Sequence, residues 1–179
     1  MGGEVRIRNI EEADYEYVIE RLNDWWGGRK VAGMLPRLFF IHFQDSSFIC
    51  LDGDKIIGFV VGFVSNALKD TGYIHFVGVD PAYRCSHVAK SLYSLFFDYC
   101  RKRGVKEIKC VTSPVNKVSI AFHQRMGFKV NSYDSRGNPV PIQNYDGPGE
   151  HRVVFKMRLA PQHGASAPDT GEMNGSGTE

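Results

Sequence analysis

Residues 73–112 read YIHFVGVDPAYRCSHVAKSLYSLFFDYCRKRGVKEIKCVT, and this stretch decides the architecture. Tyr73 to Val79 is an apolar run of strand length. Asp80-Pro81 ends it, because proline has no donor for a ladder and restricts its predecessor. Ser86 to Arg103 predicts a helix whose apolar stripe is Val88, Leu92, Leu95, Phe96 and Tyr99. Arg101, Lys102 and Arg103 favour its C-terminal end, and Gly104 caps it. Lys106 to Thr112 is again a strand. A strand, a helix and a second strand at this spacing require a parallel pair joined by a right-handed crossover.

Upstream, Glu4 to Arg8 alternates Val5 and Ile7 with charged residues, the period of a half-buried strand. Asn9, with Glu12 three positions on, predicts the cap of a helix carrying Ile10, Ala13, Tyr17, Val18, Leu22 and Trp25 at helical spacing. Gly27-Gly28 breaks it, and Leu35 to Phe43 is a second, shorter helical segment. Ser47 to Leu51 and Ile56 to Val64 read as a hairpin closed by Asp52-Gly53-Asp54-Lys55. Downstream, Asn116 to Met126 predicts a helix closed by Gly127, and Phe128 to Tyr133 and Arg152 to Leu159 the last two strands. The fold class is therefore α+β, an α/β/α sandwich. Its mixed, mostly antiparallel sheet carries helices on both faces and a central parallel strand pair.

At 179 residues the chain has room for one full domain, assigned to residues 1–160. Residues 161–179 have no Val, Ile, Leu or aromatic residue to bury and read as a disordered tail. That tail holds three acids and no Lys or Arg, so a net charge of +2 for the chain leaves the body at +5. The charge is uneven: ten Lys or Arg lie between Arg84 and Lys129 against Asp98 and Glu107, which suits an anionic ligand on one face. The basic residues are spread over two helices and a strand without a nucleic-acid motif, so no nucleic-acid partner is expected. The longest apolar stretch, Ile56 to Val64, is interrupted by Gly58 and Gly62 and falls short of the ~20 residues of a membrane span. No membrane partner is expected, and the lack of an apolar leader at the N-terminus points to the cytoplasm. Cys50, Cys85, Cys100 and Cys110 show no C-x-x-C spacing or His partner, so no metal site is expected.

Between the first strand of the crossover unit and its helix lies Arg84-Cys85-Ser86-His87-Val88-Ala89-Lys90. A helix start leaves backbone N–H groups unpaired and partly positive, a natural cradle for a pyrophosphate. Arg84 adds a charge-assisted contact in this reading; a surface arginine and a plain N-cap at Ser86 account for the same residues. The next strand-to-helix junction reads Asn116-x-x-Ser119-x-x-Phe122-His123-x-x-x-Gly127-Phe128. Together the two clusters resemble the GNAT superfamily of N-acetyltransferases. Its acetyl-CoA loop runs Arg/Gln-x-x-Gly-x-Gly/Ala, and its next helix begins at Asn, carries Ala or Ser three on and Tyr seven on, and ends in Gly-Phe. Arg84, Ala89, Asn116, Ser119, Gly127 and Phe128 match. His87 replaces the first loop glycine and His123 replaces the tyrosine.

The resemblance implies acetyl transfer from acetyl-CoA, a co-substrate, to a primary amine by direct attack. Cofactor contacts are then expected from Val77, Gly78, Val79, Arg84, Cys85, Ser86, His87, Val88, Ala89, Lys90, Asn116, Ser119, Phe122 and His123. It also implies main-chain donors at Val77 to Val79 for the thioester oxygen, where a bulge splays the fourth strand from the fifth, with Gly78 permitting close approach. His123 takes the place of the family's proton donor to the thiolate, or packs at the helix surface. His75 stands where members often carry a carboxylate base, and is either that base or a satisfied core histidine. Trp25 and Trp26 fall where the acceptor groove is walled, and Tyr145 lies in a loop suited to substrate contact. A protein N-terminus, a lysine or a small amine fits as acceptor. Dimerisation through late strands is a further implication. The competing reading is an acyl-CoA-binding regulatory module without turnover, supported by the replaced tyrosine and the missing carboxylate.

Overall fold

The computed structural model describes residues 4–84 and 87–160. The expectations placed on Cys85, Ser86 and the 161–179 tail lie outside the described residues. Seven strands form one sheet: β1 Val5–Asn9, β2 Phe48–Asp52, β3 Lys55–Val64, β4 Thr71–Val79, β5 Glu107–Thr112, β6 Lys129–Val130 and β7 Val153–Arg158. Their spatial order is β1-β2-β3-β4-β5-β7-β6. β4 and β5 are parallel and every other neighbouring pair is antiparallel. Among the described residues four α-helices accompany it: α1 Asp14–Trp25, α2 Leu38–His42, α3 Val88–Arg101 and α4 Lys117–Arg125.

The two sheet faces bury separate cores. On one, Val88, Leu92, Tyr93, Phe96 and Phe97 of α3 and Ile120 of α4 pack on Ile57, Val60, Ile74, Ile108 and Phe155. On the other, Val18, Leu22 and Trp25 of α1 and Phe39 and Phe40 of α2 pack on Ile49, Leu51, Phe59 and Val61. Ile56–Val61 is buried throughout, so β3 reads as a continuous apolar run rather than an alternating one. Cys50, Cys100 and Cys110 are buried free thiols. Among the described residues no helix is long and apolar enough to cross a membrane.

Four features differ from the sequence expectation. Helix α1 begins at Asp14 without a cap from Asn9, whose amide instead donates to the carbonyls of Gln44 and Asp45 at 2.8 and 3.2 Å. The Asp14 carboxylate turns back to accept the Glu11 N–H at 2.8 Å and is gripped by both terminal nitrogens of Arg8. A buried carboxylate with three donors outcompetes an exposed amide for the helix start. The second helical segment is shortened to α2, because the chain must turn on both sides of it to reach β2. On α3 the buried stripe takes in Tyr93 and Phe97, while Leu95 and Tyr99 are half-buried. Finally, β6 is two residues long, after which the chain leaves the sheet and touches itself through the isolated Tyr133–Pro139 and Ile142–Arg152 bridges.

Candidate active site

β4 and β5 pair only from Thr71–Glu107 to Ile74–Cys110. Beyond that rung β4 continues to Val79 while β5 runs to Thr112 and is held by β7 through Thr112–Val153. The strands therefore part and leave a gap in the middle of the sheet. The cause is a β-bulge: β3 pairs Val61 with Phe76 but Gly62 with Ile74, leaving His75 as the extra residue. The bulge lies in the β3–β4 pairing, not between β4 and β5. It puts two consecutive side chains, His75 on Phe39 and Phe76 on Trp26 and Phe59, on the same sheet face.

The same shift orients the backbone. Asp80 N–H donates to the Ile57 carbonyl at 2.9 Å. By alternation along an antiparallel ladder, Gly78 and Phe76 also face β3. Val77 and Val79 then turn their N–H and C=O groups to the side that β5 has left. Their side chains pack on the α3 face of the sheet. Gly78 has a different role from the one expected. A Cβ there would meet Phe59 at 2.4 Å and Trp26 at 3.1 Å, so its lack of a side chain admits the aromatic layer under α1.

At the mouth of the gap, α3 starts at Val88 with His87 as its cap residue, at φ 65° in the left-handed region. That backbone is the one a glycine adopts without cost, so the histidine keeps the glycine's conformation while adding a side chain. No acid occupies the first turn of α3, and Lys90 is exposed beside it. Arg84 donates to the Trp25 carbonyl at the end of α1 rather than extending freely from the loop. Trp25 itself is core, stacked on Phe59, whereas Trp26 is half-buried over Phe76.

His75 Nε2 lies 2.7 Å from the Met34 carbonyl. A carbonyl only accepts, so Nε2 carries the proton and Nδ1 presents a lone pair when the ring is neutral. Burial pushes the imidazole below its ordinary range; the Met34 carbonyl and the charge of Asp146 pull the other way. Neighbouring Tyr73 is pushed up by burial, with Tyr145, Cys110 and Asp146 adding to it. The charge of Asp146 thus acts on both His75 and Tyr73, and Tyr145 acts on Tyr73. The loop of Tyr145 and Asp146 is fixed by Arg152, whose buried guanidinium meets Asp146 at 2.6 Å and Glu150 at 2.8 Å.

The second motif folds inward. Asn116 Oδ1 caps α4 by accepting the Ser119 N–H at 3.2 Å. His123 is buried at 7% exposure, stacked on Phe155 with ring centroids 4.8 Å apart. Its Nδ1 lies 2.8 Å from the Ser119 carbonyl and its Nε2 2.8 Å from the Tyr93 hydroxyl. Nδ1–H therefore donates, and Nε2 accepts from Tyr93. Burial pushes this imidazole down as well, against the Ser119 carbonyl. Phe122 meets Tyr93 edge-on at 5.3 Å. Sequence reasoning missed Tyr93, Phe39, Phe76 and the Met34 carbonyl. Only Tyr93 had a local signal, a hydroxyl among the apolar residues of α3.

Residues 6–128 match the Acetyltransferase (GNAT) family. N-alpha-acetyltransferase 30 of Schizosaccharomyces pombe is 31% identical over 93 residues, covering 50% of this chain and 62% of that protein. An uncharacterized N-acetyltransferase of Methanocaldococcus jannaschii is 31% identical over 135 residues, covering 69% of this chain and 60% of its own length. The chain thus spans about three fifths of the length of these curated relatives. Among solved structures, diaminobutyrate acetyltransferase from Paenibacillus lautus, in complex with L-2,4-diaminobutyric acid and coenzyme A, superposes with a TM-score of 0.62 at 23% identity. That match covers 87% of this chain and 95% of the other. With a family match over residues 6–128 and a splayed β4–β5 pair facing a helix start, the chain belongs to the GNAT family of acetyltransferases.

Proposed function

We propose that the chain is an N-acetyltransferase that moves the acetyl group of acetyl-CoA to a primary amine by direct attack, both substrates bound together. The observation that carries this reading is the parting of β4 from β5 after Ile74 and Cys110, with the main-chain groups of Val77 and Val79 turned into the gap. The residues present fit the co-substrate. The pairing of β4 with β5 stops at Ile74 and Cys110, and the acid-free start of α3 with Lys90 beside it suits a diphosphate. Acetyl-CoA supplies the activated acyl group.

The Val77 and Val79 N–H groups, turned to the side that β5 has left, would stabilise the negative charge that develops on a thioester oxygen bound there. His75, held in one tautomer by the Met34 carbonyl, offers Nδ1 to take the proton that the attacking amine must lose. A depressed imidazole is neutral, and so competent as a base, over a wider range toward acid. His123 has both nitrogens engaged within the core, so its contribution is to fix α4 on α3 and β7. For the acceptor, N-alpha-acetyltransferase 30 and diaminobutyrate acetyltransferase define a panel of peptide α-amines and diamino acids, to which lysine side chains are added.

The experiment mixes the protein with acetyl-CoA and this panel and follows free thiol. We expect release with at least one amine and a loss of about 10²-fold in His75→Ala, coenzyme A binding being retained. The engagement of His123 in the core favours a second reading, an acyl-CoA-binding module without turnover. Binding with no thiol release on any amine would establish that instead.

A further inference from the structure

The Asp80–Tyr83 segment that follows β4 is tied to the β2–β3 hairpin by three side-chain contacts. The Tyr83 hydroxyl donates to Asp52 Oδ2 at 2.8 Å. Lys55 Nζ lies 2.8 Å from Asp80 Oδ2 and 5.0 Å from the centre of the Tyr83 ring. Asp80 Oδ1 also accepts the Ala82 N–H at 2.9 Å, closing the Pro81–Tyr83 turn. Asp52 ends β2 and Lys55 begins β3, so both anchors sit on one rigid two-residue hairpin.

The contacts are unequal in character. Asp52 Oδ1 is buried and, among the described residues, has no hydrogen-bond partner. The bond from Tyr83 to the other oxygen, Oδ2, therefore offsets part of the cost of shielding this half-buried carboxylate. Lys55 is nearly half exposed while Asp80 is largely shielded, which makes this pair the weaker, salt-sensitive one. Tyr83 directly precedes Arg84, so the position of its ring sets where the loop toward His87 begins.

We infer that Asp52, Lys55, Asp80 and Tyr83 form a latch that fixes the Pro81–Tyr83 turn and the start of Arg84 against the β2–β3 hairpin, making Tyr83 and Lys55 positioning residues for the nucleotide half of coenzyme A. This rests on the reading of the α3 start as the diphosphate cradle. In that reading coenzyme A would span the cradle and the sheet gap, whereas pantetheine, which has no diphosphate, would reach only the gap. The latch therefore acts on one ligand and spares the other.

Calorimetric titration of the unsubstituted protein, Tyr83→Phe and Lys55→Met with coenzyme A and with pantetheine tests this, with melting temperatures recorded alongside. We expect Tyr83→Phe to weaken coenzyme A by about 3- to 10-fold, as for a lost hydrogen bond, with pantetheine unaffected. Lys55→Met should weaken coenzyme A less, and by an amount that shrinks in high salt. Unchanged affinity in both variants, or equal weakening of both ligands, overturns the latch. Should Tyr83→Phe fail to fold, the exposed Lys55 still decides the matter. Absence of coenzyme A binding by the unsubstituted protein would remove the transferase reading as well.

Discussion

The Tyr93 hydroxyl donates to His123 Nε2 across 2.8 Å, joining α3 to α4 inside an otherwise apolar core. Burial holds this imidazole below its ordinary pKa, whereas in the unfolded chain it titrates near ~6.5. Between those two values the unfolded state binds more protons, so stability rises with pH. The contribution is complete above ~6.5 and is lost as pH falls through the folded value. Urea midpoints should decline below that pH, and His123→Phe should flatten the decline while lowering stability at neutral pH, because Tyr93 loses its acceptor. An unchanged pH slope in that variant would contradict the arrangement. His75 is depressed by burial in the same sense, so a residual slope remains until it too is replaced.

How much of this was legible before the structure depends on the range of the interactions. The β4–α3–β5 crossover could be read from residues 73–112, because an apolar run, Asp80-Pro81 and Gly104 act locally. So could the cap at Asn116, whose partner Ser119 is three residues away. The resemblance implied a bulge, but its position at His75 could not be read, since it is a mismatch of register with Val61 and Gly62 on another strand. The burial of His123 was likewise hidden: its stacking partner Phe155 and its donor Tyr93 are distant in sequence, and its helix carries exposed Val118 and Ala121 nearby. Arg84 was legible as a cation but not as the donor to the carbonyl of Trp25.

Gly78→Ala tests the aromatic layer beneath the gap. The added Cβ would lie 2.4 Å from the Phe59 ring, which is fully buried and stacked between Trp25 and Phe76. It has no room to yield, so we expect a loss of about 1–3 kcal/mol in urea unfolding, as for an overpacked core. Because displacement of Phe59 moves β4, thiol release should fall as well. Wild-type stability would mean that the layer accommodates a methyl group.

His87→Gly should act in the opposite direction. At φ 65° the histidine sits in a conformation that costs an L-residue about 1–2 kcal/mol and a glycine little. Glycine also gains freedom in the unfolded chain, so a net rise of about 0.5–1 kcal/mol is expected. Removal of the side chain should also let a diphosphate approach the α3 amides more closely, seen as a lower coenzyme A dissociation constant by calorimetry. Weaker binding in this variant would show that the imidazole itself holds the ligand.

The proton-acceptor role of His75 predicts the acid limb of the rate profile. Only the neutral ring accepts a proton, so kcat/KM for a panel amine that releases thiol should fall as pH drops below the ordinary imidazole range. The groups acting on this ring are the Met34 carbonyl, the stacked Phe39 and, from the loop held by Arg152, Asp146, whose charge also acts on Tyr73. Of these, Asp146 carries the charge that favours the protonated ring. Asp146→Asn keeps an oxygen for Arg152 but removes that charge, so the acid limb should move to lower pH while the limb of the unsubstituted protein stays where it is. If His75 merely filled the core, the limb would belong to another group, and neutralising Asp146 would change the amplitude of the profile without displacing it.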